Sequence, residues 1–257
     1  MLAFTRAGRG PPLILLHATN TTRRLWSPLL EALSATRDVI AVDLPAHGES
    51  PPTSLTPAGF AREVAELLDG LGLHAAPVAG LSIGGWAALE VAKLGRTTGV
   101  LALAPAGLWA HRSPLVTDVG LQMNWRLAQL AGTRGPRAMR RPRLRRLGLR
   151  SISAHPERVS AEVAIATAED AVASRHFPEH FRQTRILRFT GGGAIPAAVP
   201  VHVVWGDRDG VARARSSQCA DQLPTHAVVE TWEDCGHMLI WDAPERVIAA
   251  ALALPGI

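Results

Sequence analysis

Tyrosine is absent from the 257-residue chain, and Lys93 is its only lysine. Genome base composition accounts for both more simply than any function does. Cysteine is scarce as well. Cys219 and Cys235 form no C-x-x-C pair, which excludes the common zinc and dithiol spacings, and two thiols are too few for a disulfide framework. No apolar run is long enough to cross a bilayer, so no membrane span is expected. The opening stretch "MLAFTRAGRGPPLILLH" lacks the small-residue cleavage site of a signal peptide. These features predict a cytoplasmic protein. No internal repeat is present, and no linker marks an independently folding second domain.

The hydrophobic share of 47% and charged share of 19% suit a compact enzyme and exclude a disordered chain. The net charge of +5 is local in origin, concentrated in "RGPRAMRRPRLRRLGLR" at 134–150. A solvated helix face is the simplest reading of that run. An anionic substrate, an acidic carrier protein or a membrane surface are the other partners it could meet. With no interleaved aromatics, it does not read as a nucleic-acid surface.

Strands and helices alternate along the first hundred residues. "PLILLH" (12–17), "RDVIAVDLP" (37–45), "APVAGL" (76–81) and "TGVLALAPAG" (98–107) are apolar runs of the kind found in strands covered on both faces. Between them lie helical patterns at 23–33, 56–73 and 84–95. The second opens on Thr56 and Pro57, a cap and a first-turn proline. From about 108 to 196 no convincing strand occurs. Alternation then resumes with a strand at 199–206, a helix near 211–222, a strand at 226–232 and a terminal helix from about Ala243. The pattern predicts an α/β fold with a doubly wound, mostly parallel sheet. Residues 1–107 and 197–257 would form the core, and 108–196 a helical insertion.

One hydroxyl stands out. In "VAGLSIGGWAALEVAKL" (78–94), Ser82 sits between Gly80 and Gly84 where a buried strand meets a helix. A sharp strand-to-helix turn lifts such a hydroxyl out of the sheet, and its close packing leaves no room for side chains on the flanks. The first amides of the helix point to the same place and can stabilise an oxyanion.

A serine needs a base. Of the ten histidines, His237 follows the last strand, in a loop that can reach over the C-terminal edge of the sheet. The imidazole in turn needs a carboxylate. The loop after "VHVVWG" offers Asp209, three residues beyond Gly206, with Asp207 as the alternative. The order Ser, Asp, His suits this architecture.

Five segments in sequence resemble the α/β-hydrolase fold family: "LLHATNTTRRLW", "DLPAHGES", "GLSIGG", "WGDRD" and "GHMLIWDAPERV". The resemblance implies Ser82 as nucleophile, Asp209 as acid and His237 as base. It also implies the backbone amides of Thr19 and Ile83 as the oxyanion hole, and the insertion as a helical cap. Ala18 and Ala46 stand where the family usually has glycine. Leu121, Met123 and Trp125, with Leu127, are the candidate substrate-lining residues of the cap if they face down; holding the cap together is the commoner role of such residues. The function expected is a serine hydrolase acting on a small-molecule carboxylic ester, lactone or thioester, with no cofactor or metal. Two alternatives share these motifs: C–C bond hydrolysis or lyase/cyclase chemistry with the same triad, and a non-catalytic ligand-binding member of the fold.

Overall fold

The computed structural model describes residues 1–256, without the side chains of Ala214 and Arg215. Seven strands form one sheet: β1 (Phe4–Ala7), β2 (Pro12–Leu16), β3 (Asp38–Val42), β4 (Val78–Leu81), β5 (Val100–Leu103), β6 (Val201–Gly206) and β7 (Val228–Trp232). Their spatial order is β1-β3-β2-β4-β5-β6-β7, with β1 antiparallel to β3 and every other pairing parallel. Every residue of β2, β3, β4 and β5 is buried, the behaviour expected of parallel strands covered on both faces.

The core helices are α1 (Ser27–Ser34), α2 (Pro57–Gly70) and α3 (Ile83–Lys93). The Thr56 side chain accepts a bond from the Gly59 amide and caps α2, as its sequence predicts. Five helices follow β5: α4 (Leu115–Ala131), α5 (Arg134–Ala138), α6 (Pro142–Leu149), α7 (Ala161–Ala173) and α8 (Phe177–Thr184). The chain ends with α9 (Ala214–Ser217), α10 (Leu239–Asp242) and α11 (Pro244–Leu252). Among the described residues, no helix is long and apolar enough to cross a membrane.

Two elements differ from expectation. β1 is an edge strand of four half-exposed residues, too short and too polar to stand out in the sequence. The helix expected at 211–222 is reduced to α9 and a single 3-10 turn at Ala220–Gln222. The Asp209 carboxylate claims the amides of Val211 and Ala212, Gln218 bonds the Ala212 carbonyl, and the Cys219 amide bonds Leu108. These partners replace the bonds a continuous helix would need.

The loops after β2, β4, β5, β6 and β7 all leave the sheet at the C-terminal edge of the parallel strands. Open α/β sheets form their binding crevices there.

Candidate active site

Ser82 joins β4 to α3 with φ 56° and ψ −114°, a backbone conformation that side-chain-bearing residues rarely adopt. Its amide bonds the Leu103 carbonyl at 2.8 Å, and its own carbonyl accepts from Trp86 at 3.1 Å and Ala106 at 3.0 Å. The turn is therefore clamped from three sides. A Cβ on Gly80 would run into the Gly84 carbonyl, and one on Gly84 would come within 2.6 Å of the His17 carbonyl. Both glycines are thus a steric condition for the turn.

His237 leaves the loop after β7, and its Nδ1 lies 2.8 Å from Asp209 Oδ2. Both residues are buried. Asp209 Oδ1 accepts from the Val211 and Ala212 amides, each at 2.7 Å. Burial alone would raise this carboxyl, but attraction to His237 and the two amides together hold it below the usual carboxylate range. Asp207 takes no part here. Its Oδ1 accepts the Cys235 amide at 3.1 Å and shapes the loop that carries His237. With Nδ1 facing Asp209, Nε2 is the ring nitrogen left for another partner.

Ser82, Ile83, Thr19 and His237 line one cavity of about 60 Å³. Ile83 is the first residue of α3, so its amide has no carbonyl partner within the helix. Ala104, Pro105, Val211 and Ala212 contribute from the sheet side. Trp109, Leu121, His180 and Phe181 contribute from the stretch between β5 and β6.

Of the four apolar residues of the insertion considered for the pocket, Leu121, Met123, Trp125 and Leu127, only Leu121 lines this cavity. Met123 lies two residues, about 200°, farther round α4 and is half exposed on the outside. Trp125 shares the inward face one turn on, where it stacks on Phe177 and its Nε1 donates to the Ser174 carbonyl. These two residues are corrected to the outer surface and to the packing of α4 on α8.

Several residues that hold the site in place were not singled out in the sequence. Asp43 is buried, with Oδ1 accepting the Arg23 amide at 2.7 Å and Oδ2 accepting the Glu49 amide at 3.0 Å, and it pairs with the Arg23 guanidinium. From α7, Asp170 Oδ2 accepts the Thr22 amide at 3.0 Å and hydroxyl at 2.8 Å, and the carboxylate pairs with Arg24. Two carboxylates from distant segments thus pin the loop that carries Thr19. The Thr21 hydroxyl donates to the Ala18 carbonyl, so the hydroxyls of Thr21 and Thr22 are spent on the turn. Asp242 does the same for the histidine loop. It accepts the Gly236 amide at 2.7 Å, the Ala154 amide at 2.9 Å and the Ser153 hydroxyl at 2.6 Å.

A chain of three buried imidazoles runs from the cavity wall, where His180 lies, toward the loop after β2. His17 and His47 have ring centroids 5.0 Å apart, and His47 and His180 5.6 Å apart. His17 Nε2 accepts the Leu44 amide, which leaves the proton on Nδ1 for the Ala18 carbonyl. His180 Nδ1 faces the Leu55 carbonyl at 2.9 Å. Burial drives His17 well below the usual histidine range, lowers His47, and takes His180 down to about 3. All three are neutral in the fold at pH 7, and they connect α8 to the loop after β2.

Residues 13–250 match the profile of the alpha/beta hydrolase family. The epoxide hydrolase EphH of Mycobacterium tuberculosis is 32% identical over 199 residues, spanning 75% of this chain and 92% of that protein. A membrane phospholipase A, described as a bacterial virulence factor, superposes with a TM-score of 0.73 at 24% identity, over 98% of this chain and 81% of the other. A meta-cleavage product hydrolase from Pseudomonas fluorescens IP01 superposes with a TM-score of 0.74 at 19% identity, over 98% and 93%. At such identities the two structural likenesses are likenesses of fold. With the profile matching most of its length, the chain belongs to the alpha/beta hydrolase family.

Proposed function

We propose that the protein is a serine hydrolase that cleaves a small carboxylic ester, lactone or thioester through an acyl-enzyme. The observation that carries this reading is the buried His237–Asp209 pair, whose histidine lines the same cavity as the Ser82 elbow. Ser82 Oγ attacks the carbonyl carbon as His237 Nε2 takes its proton. Asp209 holds the ring in the required tautomer and stabilises the imidazolium. The amides of Thr19 and Ile83 receive the oxyanion. His237 then returns the proton to the departing alcohol or thiol. A water, deprotonated by the same nitrogen, releases the acid and restores Ser82.

The chemistry of Ser82 favours an acyl substrate over the epoxide named for the EphH relative. A serine oxygen that opened an epoxide would end as an ether, with no carbonyl for water to attack. An acyl-serine retains one. Residues 108–196 act as the cap over a core of 1–107 and 197–257, since α4 and α8 supply one wall of the cavity. At about 60 Å³ that cavity is smaller than the ~150 Å³ apolar cavity that accepts benzene in an engineered protein. Short acyl groups fit it best.

A fluorophosphonate probe tests the nucleophile. It should label the wild-type chain at Ser82 and leave a folded Ser82→Ala variant unlabelled. A folded wild-type protein that resists the probe would remove the assignment and restore the non-catalytic, ligand-binding alternative.

A further inference from the structure

The helix that walls the cavity is apolar on both sides. Thr117, Leu121 and Trp125 of α4 face inward. At about 100° per residue, Val116, Val119, Met123, Leu127 and Leu130 form a stripe on the opposite side, roughly 20 Å long. All five are at least 50% exposed, and Leu130 is 84% exposed. The only residue of this helix that is buried is Asp118. A helix apolar on two opposite sides normally has partners on both, yet all five side chains of this outer stripe remain at least half exposed.

The neighbouring elements carry a different chemistry. Between Asp118 and Glu157 the chain has no carboxylate, and residues 134–150 hold eight arginines. Seven of them are exposed. Among the described residues none of the eight forms an ion pair. The stripe and the arginine-bearing helices are adjacent, because Met123 and Leu127 of α4 line one apolar groove with the partly buried Met139 and the exposed Leu147. An apolar stripe on an exposed helix face, bordered by unpaired guanidinium groups, is the arrangement that settles into the headgroup boundary of a bilayer.

We propose that the outer face of α4, together with the arginines of 134–150, docks the protein on an anionic phospholipid surface. A second copy of the chain fits poorly, because it would set two sets of like-charged arginines against each other. An acidic protein would answer the charge but not the exposed leucines and valines. The bilayer answers both. Apolar side chains enter the acyl boundary while each arginine meets phosphate. The docked face is the reverse of the wall that lines the cavity, so the proposal concerns where the enzyme sits and leaves the size of its acyl site unchanged.

Sedimentation of the full chain with phosphatidylcholine vesicles, with and without phosphatidylglycerol, tests this. Binding should require phosphatidylglycerol and weaken as salt is raised. Arg143→Gln with Arg146→Gln should lower vesicle affinity about 30-fold, from about fivefold per cation. Val119→Gln with Leu130→Gln should lower it at least about tenfold at any salt concentration. Both variants should keep the wild-type melting temperature and turnover of a water-soluble ester. Equal binding to both kinds of vesicle, or none to either, would overturn the proposal, as would undiminished binding by the variants. A concentration-dependent dimer lost in the Val119/Leu130 variant, without vesicle binding, would assign the face to a second copy. Binding to polyglutamate but not to anionic vesicles would assign it to an acidic protein.

Discussion

The sheet and the helices between β5 and β6 treat apolar residues in opposite ways. Four strands bury every residue they have, whereas the 17-residue α4 buries one, an aspartate. The sheet is a packed core in which each side chain is fixed by its neighbours. The inserted helices are a thin layer with one face toward the cavity and another toward solvent. Polar ties join them to the core: Asp170 to the loop of Thr22, Asp242 to the segment of Ser153, and Asp118 to Arg185 within the layer itself. The machinery proposed for catalysis stands on the fully buried region, and the walls proposed for substrate choice stand on the more exposed one. Such a division lets one chemistry serve many substrates.

The sharpest test of this division is at the nucleophile. Ser82→Ala should lower kcat by about 10⁴ to 10⁶-fold, and Asp209→Asn by about 10⁴-fold, with little loss of thermal stability. A substitution of Leu121 in the helical layer should instead change the ranking of substrates by a factor of about ten.

Acid should separate the regions next, because the three neutral imidazoles lie at their junction. In the unfolded chain each protonates near the ordinary value of ~6.5, while burial depresses His17 and His47 and takes His180 to about 3 in the fold. The unfolded state therefore binds protons first. The stability contributed by the neutral rings is complete above pH ~6.5 and is lost as pH falls toward the folded values. The slope approaches about 1.4 kcal/mol per pH unit for each ring. Urea unfolding measured across this range should show the decline, and His180→Phe should flatten it.

Truncation contrasts the two regions directly. Leu16→Ala in β2 should cost about 3 kcal/mol, whereas Leu130→Ala on α4 should stay within about 0.5 kcal/mol. Similar costs at the two positions would mean that the outer face of α4 is covered in solution. The smallest effect concerns Ala46, which holds φ 65° in a loop where the resemblance leads one to expect glycine. Ala46→Gly should relieve that backbone and raise stability by about 0.5–1 kcal/mol. Ala18, the other departure, has no positive φ, so a methyl there is tolerated without strain.

Legibility in the sequence holds where structure is local. The runs "PLILLH" and "APVAGL" announce buried strands because every side chain in them is apolar, and Gly80-x-Ser82-x-Gly84 announces a turn because its steric demands fall within five residues. It fails where the deciding contact is far away in the chain. Asp170 meets Thr22 across 148 residues, and Asp242 meets Ser153 across 89. Nothing near those aspartates distinguishes them from solvated ones. Leu121 and Met123 are equally apolar, and only the rotation of α4 decides which one sees the cavity. β1 is missed because an edge strand of four residues needs its partner β3 to define it.

The most direct measurement is intact-protein and peptide mass spectrometry on samples rapidly quenched during turnover of an activated short-chain ester. The account predicts one added acyl mass, located on Ser82, that disappears as substrate is exhausted and never forms in Ser82→Ala. Steady turnover with no acyl mass at any time, or with the acyl group on another residue, would contradict it.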